Sequence, residues 1–101
     1  MKIKHWQGYG AVEATKLSKE EIKNEYGEKK TQLRVRVQGN HEWGLERDDA
    51  YDIWNWLVKR FDKSVGSFYD YRVELSLNDY YVELGGLDVE TCDYTITYSK
   101  R

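Results

Sequence analysis

The stretch Asp48 to Phe61, DDAYDIWNWLVKRF, is the only part of the chain with a sustained helical period. Ala50, Ile53, Trp54, Leu57, Val58 and Phe61 fall three and four residues apart and form one continuous apolar stripe. At about 1.5–3 kcal/mol for each large side chain, burying that stripe is worth on the order of 10 kcal/mol gross. In a chain of 101 residues such a helix carries a large share of the core, so the strands must pack around it. Asp48 or Asp49 is placed to cap its start, a contact worth roughly 1 kcal/mol. Lys59 and Arg60 fall in its last turn, where cations suit the helix dipole.

The length fits one domain spanning residues 1–101, large enough for a core without disulfides or metals and too small for a second. An apolar fraction of 40% beside 34% charged residues is globular, and no apolar run approaches the roughly 18 residues of a membrane span. The beginning, MKIKHWQGYG, has two lysines and no apolar stretch of the secretory kind, so a cytoplasmic setting is expected. The single Cys92 agrees with a reducing compartment and reads as a small strand residue. The formal net charge is −2, which excludes the strongly basic footprint of many nucleic-acid binders.

Around the helix the pattern changes to strands. KIKHWQGYGAVEATKL, residues 2–17, reads as one long strand kinked at Gly8-Tyr9-Gly10. Ser18 to Lys30 is dense in mixed charge and reads as a solvated connection with room for one helical turn before Gly27. TQLRVRVQ, residues 31–38, alternates strictly, with Leu33, Val35 and Val37 on one face and Arg34 and Arg36 on the other. Beyond Gly66, Tyr69 to Leu77 and Tyr80 to Leu84 read as a hairpin turning at Asn78-Asp79. Gly85-Gly86 marks another turn, and Cys92 to Tyr98 a last strand. The expected architecture is α+β: an antiparallel sheet of about five strands, in the order ββαβββ, with one amphipathic helix packed on one face.

Chemistry-bearing motifs are sparse. His5, His41 and Cys92 stand at no metal-binding spacing, so neither a metal nor another cofactor is expected. The GYG of the first strand lacks the following helix and further glycines that phosphate-binding loops need. No nucleophile has a sequence-local basic partner, and no catalytic residue is assigned. Aromatics are the more informative signal. Tyr51 lies at the margin of the helical stripe, and Asp48, Asp52 and Trp56 fall at about 160°, 200° and 240° from Ala50, on one arc facing away from it. Carboxylates beside an aromatic suit a basic groove on a partner. His41, Glu42 and Trp43 form an alternative binding loop or pocket wall, and Arg34 and Arg36, about 7 Å apart, an alternative sheet face for nucleic acid or nucleotides.

In general character, a short acidic α+β domain without an enzyme motif and with aromatics and carboxylates at candidate surface positions, the chain resembles small orphan proteins of bacteriophages and mobile elements, including anti-CRISPR and other anti-defence inhibitors. HWQGYG and NHEWGLERDDAYDIWNWL are its most distinctive segments. The resemblance implies a non-enzymatic inhibitor in the host cytoplasm that binds a host nuclease or effector ribonucleoprotein. Direct nucleic-acid binding through Arg34 and Arg36, and a small enzyme or ligand-binding domain near His41, are the alternatives; self-association as a homodimer is left open.

Overall fold

The alternating segment around Leu33, Val35 and Val37 forms a strand with one fully buried face, and the sheet is assembled on both sides of it. The computed structural model describes residues 1–4, 11–40, 49–83 and 89–101. Five strands, β1 (Lys2–Lys4), β2 (Ala11–Lys23), β3 (Lys29–Asn40), β4 (Tyr71–Glu83) and β5 (Val89–Lys100), form one antiparallel sheet in the spatial order β1-β2-β3-β5-β4. The last strand in sequence is thus inserted between β3 and β4, and Cys92, Tyr94, Ile96 and Tyr98 of β5 are all buried.

One continuous helix, residues 50–61, lies across one face of the sheet, as the period predicts. It runs as α1 (Ala50–Ile53), a π-helical turn (Trp54–Val58) and α2 (Lys59–Phe61). Asp49 caps it, its carboxylate accepting from the Asp52 N–H at 2.9 Å. The π turn widens the backbone and takes carbonyls out of the regular ladder; the Arg60 guanidinium donates to the carbonyl of Trp56. Ile53, Trp54, Leu57 and Val58 pack with Leu33, Val35, Val37 and Ile96 in one core. Trp54 is wholly buried, donates its indole N–H to the Gly66 carbonyl at 2.9 Å, and meets Tyr71 and Tyr98 at ring-centroid distances of 4.8 and 5.1 Å.

The α+β class, the five strands and the single helix agree with the sequence reading, but the element order is βββαββ. Residues 2–17 are not one kinked strand, because β1 and β2 are separate strands that pair antiparallel with each other. The kink proposed at Gly8-Tyr9-Gly10 lies outside the described residues, as does the Gly85-Gly86 turn. Ser18 to Lys23 continues β2 rather than forming a solvated connection. Apart from Leu33 opposite Lys19, the ladder partners of these residues are polar, Glu21 facing Thr31 and Lys23 facing Lys29, so the far end of the hairpin needs no apolar face. The turn is short: Asn24 Oδ1 accepts from the N–H groups of Tyr26 and Glu28, and Gly27 takes a φ of 79° that suits glycine.

Asn78-Asp79 is likewise no hairpin turn. The strand runs through it with a bulge between Leu77 and Asp79, and Asp79 remains paired opposite Asp93. One inserted residue breaks side-chain alternation in the same way that a turn does, which is why the sequence pattern misleads here. β2 has a second bulge between Lys16 and Ser18, with Leu17 inserted.

Leu57 is fully buried under the helix. Leu57→Ala should destabilise the protein by about 2–5 kcal/mol, measured by chemical denaturation; an unchanged midpoint would contradict a core centred on this helix.

Candidate functional site

The N-terminal end of the helix and the segment leading into β4 together display a cluster of aromatic rings. Ser67 caps a single 3-10 turn, Phe68–Asp70, through its hydroxyl. That turn brings Phe68 and Tyr69 against Tyr51 of α1. Tyr51 meets Phe68 edge to face at 5.5 Å and Tyr69 at 5.8 Å, and Phe68 meets Tyr69 at 5.6 Å. Phe68 also contacts the buried Trp54 at 6.2 Å, so the cluster is rooted in the core. Tyr51 is nevertheless 45% and Tyr69 70% exposed. Asp49, Asp52 and Asp70 lie in the same two segments. The ring pairs hold their geometry through edge and tilted contacts of the usual kind, so the surface is preorganised rather than a set of loose side chains.

Only part of the arc predicted on the helix is found here. Tyr51 is exposed and Asp52 half-buried; Asp48 lies outside the described residues. Trp56 is 1% exposed, and its placement on the outward arc is corrected. A helical wheel assigns solvent to every position opposite the stripe, but the end of β1 closes over this one. The Trp56 indole N–H donates to the Lys4 carbonyl at 3.0 Å. The aromatic side chains that stand beside Tyr51 are Phe68 and Tyr69 instead. Tyr69 was hidden in the sequence because it keeps the alternation of the strand that follows it.

His41, Glu42 and Trp43 lie outside the described residues. Arg34 and Arg36 share the sheet face opposite the helix, as predicted, and both are exposed. Arg36, however, is held by Asp93 in a bidentate pair at 2.7 and 2.8 Å. The hydrogen bonds from Arg36 keep the Asp93 carboxyl below its ordinary range against the opposing effect of burial, with the charges of Arg36 and Arg34 assisting. Asp79 sits beside Asp93 on the neighbouring strand. The face therefore neutralises much of its own positive charge.

A polar cleft of about 360 Å³ opens beyond the helix's C-terminal end, with Lys29, Lys30, Lys100, Tyr71, Tyr98 and Asp62 among its walls. Asp62 is 4% exposed and was not singled out by the sequence reading, having no neighbour in sequence that marks it beyond the Asp-x-Ser spacing of a turn. Its carboxylate accepts from the Tyr98 hydroxyl at 2.6 Å and from the Ser64 hydroxyl and N–H at 2.6 and 3.1 Å, and pairs with Lys19 at 3.3 Å. Burial pushes its pKa up, but the hydrogen bonds from Ser64, Tyr98 and Lys19 outweigh it and bring the pKa down to about 2. Burial first, then the bond to Asp62, pushes the Tyr98 hydroxyl well above its ordinary value. At neutral pH the pair is a fixed carboxylate and a fixed hydroxyl. It ties the end of the helix to β5 and β2 and is poorly suited to passing protons.

No protein-family model matches this chain, and neither a curated protein nor a solved structure is similar to it. Among the described residues no helix is long and apolar enough to cross a membrane.

The Asp62 cluster makes stability dependent on acid. Because the folded-state pKa, about 2, lies below the unfolded value of about 3.9, its contribution is full above about pH 4 and is lost as pH falls toward 2. Asp62→Asn should lower stability at pH 7 by roughly 1–3 kcal/mol and flatten the fall of the melting temperature between pH 4 and 2. A variant with the wild-type acid profile would show that other carboxylates set it.

Proposed function

We propose that the protein acts by binding another protein, without catalysis, through the surface formed by Tyr51, Phe68 and Tyr69. The observation that carries this reading is the exposure of two tyrosines in a ring cluster whose base is anchored on Trp54. Rigid aromatics lose little entropy on association and are enriched at binding hot spots. Asp52 and Asp70, in the same segments, give the surface an acidic bias suited to a basic partner. A nuclease or nucleic-acid-guided effector complex of the host cytoplasm presents such a basic groove, which agrees with the inhibitor class that the sequence resembles. Direct nucleic-acid binding is the weaker alternative, since Arg36 is committed to Asp93 and acidic residues share its face.

Affinity capture from a host lysate, with wild-type protein and a Tyr51→Ala/Tyr69→Ala variant as baits, tests the proposal once circular dichroism shows both folded. The wild type should retain a nuclease or effector ribonucleoprotein that survives nuclease treatment, and the variant should lose it by about tenfold or more. Equal capture by both, or capture of nucleic acid alone that Arg34→Ala abolishes, would overturn it.

A further inference from the structure

The two edges of the sheet are treated differently. Beyond its short pairing with β1, β2 carries Lys16, Lys19, Glu20, Glu21 and Lys23, the charged residues that protect a free edge. β4 is the opposite edge, with β5 as its only strand neighbour among the described residues. Its second half holds fewer charges, Asp79 and Glu83, and exposes Leu77, Tyr80, Tyr81 and Val82, each between 36% and 45%.

We propose that β4 pairs antiparallel with β4 of a second copy of this chain about a two-fold axis at Leu77, extending the sheet across a homodimer. The register follows from the β4–β5 ladder, in which Leu77 faces Tyr94. Measured along β5, Arg72 (opposite Ser99) and Glu83 (opposite Val89) are equidistant from that point. So are Val73 and Val82, Glu74 and Tyr81, Leu75 and Tyr80, and Ser76 and Asp79. A two-fold axis at Leu77 sets each of these residues opposite its counterpart on the other copy. Arg72 then meets Glu83 at both ends of the interface. Leu77, Leu75, Tyr80, Val73 and Val82 meet one another on the helix side, and no like charges face each other.

The two registers one step to either side fail on charge. An axis at Ser76 brings Glu74 opposite Asp79 twice, and one at Asp79 sets Asp79 against itself and Glu74 against Glu83. The bulge favours a second copy over a foreign strand. A straight strand laid along β4 has no counterpart to the inserted Asn78, whereas a second β4 brings an insertion of its own, the two falling on opposite sides of the axis at Leu77. The Asn78 side chain does not intrude, since its amide donates to Thr95 on its own sheet. Isologous pairing of this kind closes after two copies.

Sedimentation equilibrium on the full chain and on charge variants of the exposed positions 72 and 83 tests the proposal. The wild type should be in monomer–dimer equilibrium. Arg72→Glu and Glu83→Arg, each of which places like charges at both ends, should raise the dissociation constant roughly tenfold or more, and the double exchange Arg72→Glu/Glu83→Arg should restore it. Leu77→Lys, which sets two cations across the axis, should leave a monomer and serves if a charge variant fails to fold. A wild type that stays monomeric at every concentration would overturn the proposal. So would a dimer whose affinity is the same in all these variants.

Discussion

The packing of Trp54 is the contact on which the other features depend. The helix buries its indole against Tyr71 at the start of β4 and Tyr98 near the end of β5, and the ring N–H is satisfied by the carbonyl of Gly66. One side chain thus fixes the helix against the sheet, draws in the connection that follows, and supports Phe68 beneath the two exposed tyrosines. Truncating a buried tryptophan costs about 3–5 kcal/mol, a large fraction of the 5–15 kcal/mol that keeps a domain folded. The exposed surface and the core are therefore one structure, and the display of Tyr51 and Tyr69 depends on the same ring that holds the fold.

The two bulges perform the second organising step. In β2, Val12 and Ala14 face the helix, and without Leu17 inserted the same alternation would send Ser18 and Glu20 to that face. The insertion brings Lys19 there instead, opposite Leu33, where its ammonium reaches Asp62. In β4 the inserted Asn78 turns Tyr80 onto the helix side opposite Cys92, where its hydroxyl donates to Glu90 at 3.0 Å. Each bulge puts a polar group within reach of a buried carboxylate that would otherwise be poorly solvated, since Asp62 and Glu90 are both under 5% exposed.

The parts of this arrangement legible in the sequence are those set by local periodicity. The helical stripe and the alternation of Leu33, Val35 and Val37 each report one face of one element, and both faces are where the pattern places them. What escaped was set by contacts distant in sequence. The central place of β5 depends on its pairing with both β3 and β4. The burial of Trp56 depends on the end of β1, more than fifty positions away along the chain, and the ionised state of Asp62 depends on Tyr98 and Lys19 as well as on the nearby Ser64. The bulges broke the period-two signal that would have extended β2 and β4, so charged residues read as loop and Asn78-Asp79 read as a turn. Of the candidate surface residues, Tyr51, Asp52, Arg34 and Arg36 were placed on described elements as the sequence suggested, whereas Tyr69 was read as a strand residue and belongs to a 3-10 turn.

The burial of both helix tryptophans is the central claim, because the fold and the displayed aromatic surface rest on it. Native-state hydrogen exchange of the indole N–H groups, followed by NMR and assigned with Trp54→Phe and Trp56→Phe, measures it directly. With their partners Gly66 and Lys4 in place, both indoles should exchange orders of magnitude more slowly than free tryptophan, and that of Trp54 should open only with global unfolding. Exchange of both at the rate of free indole would contradict the account.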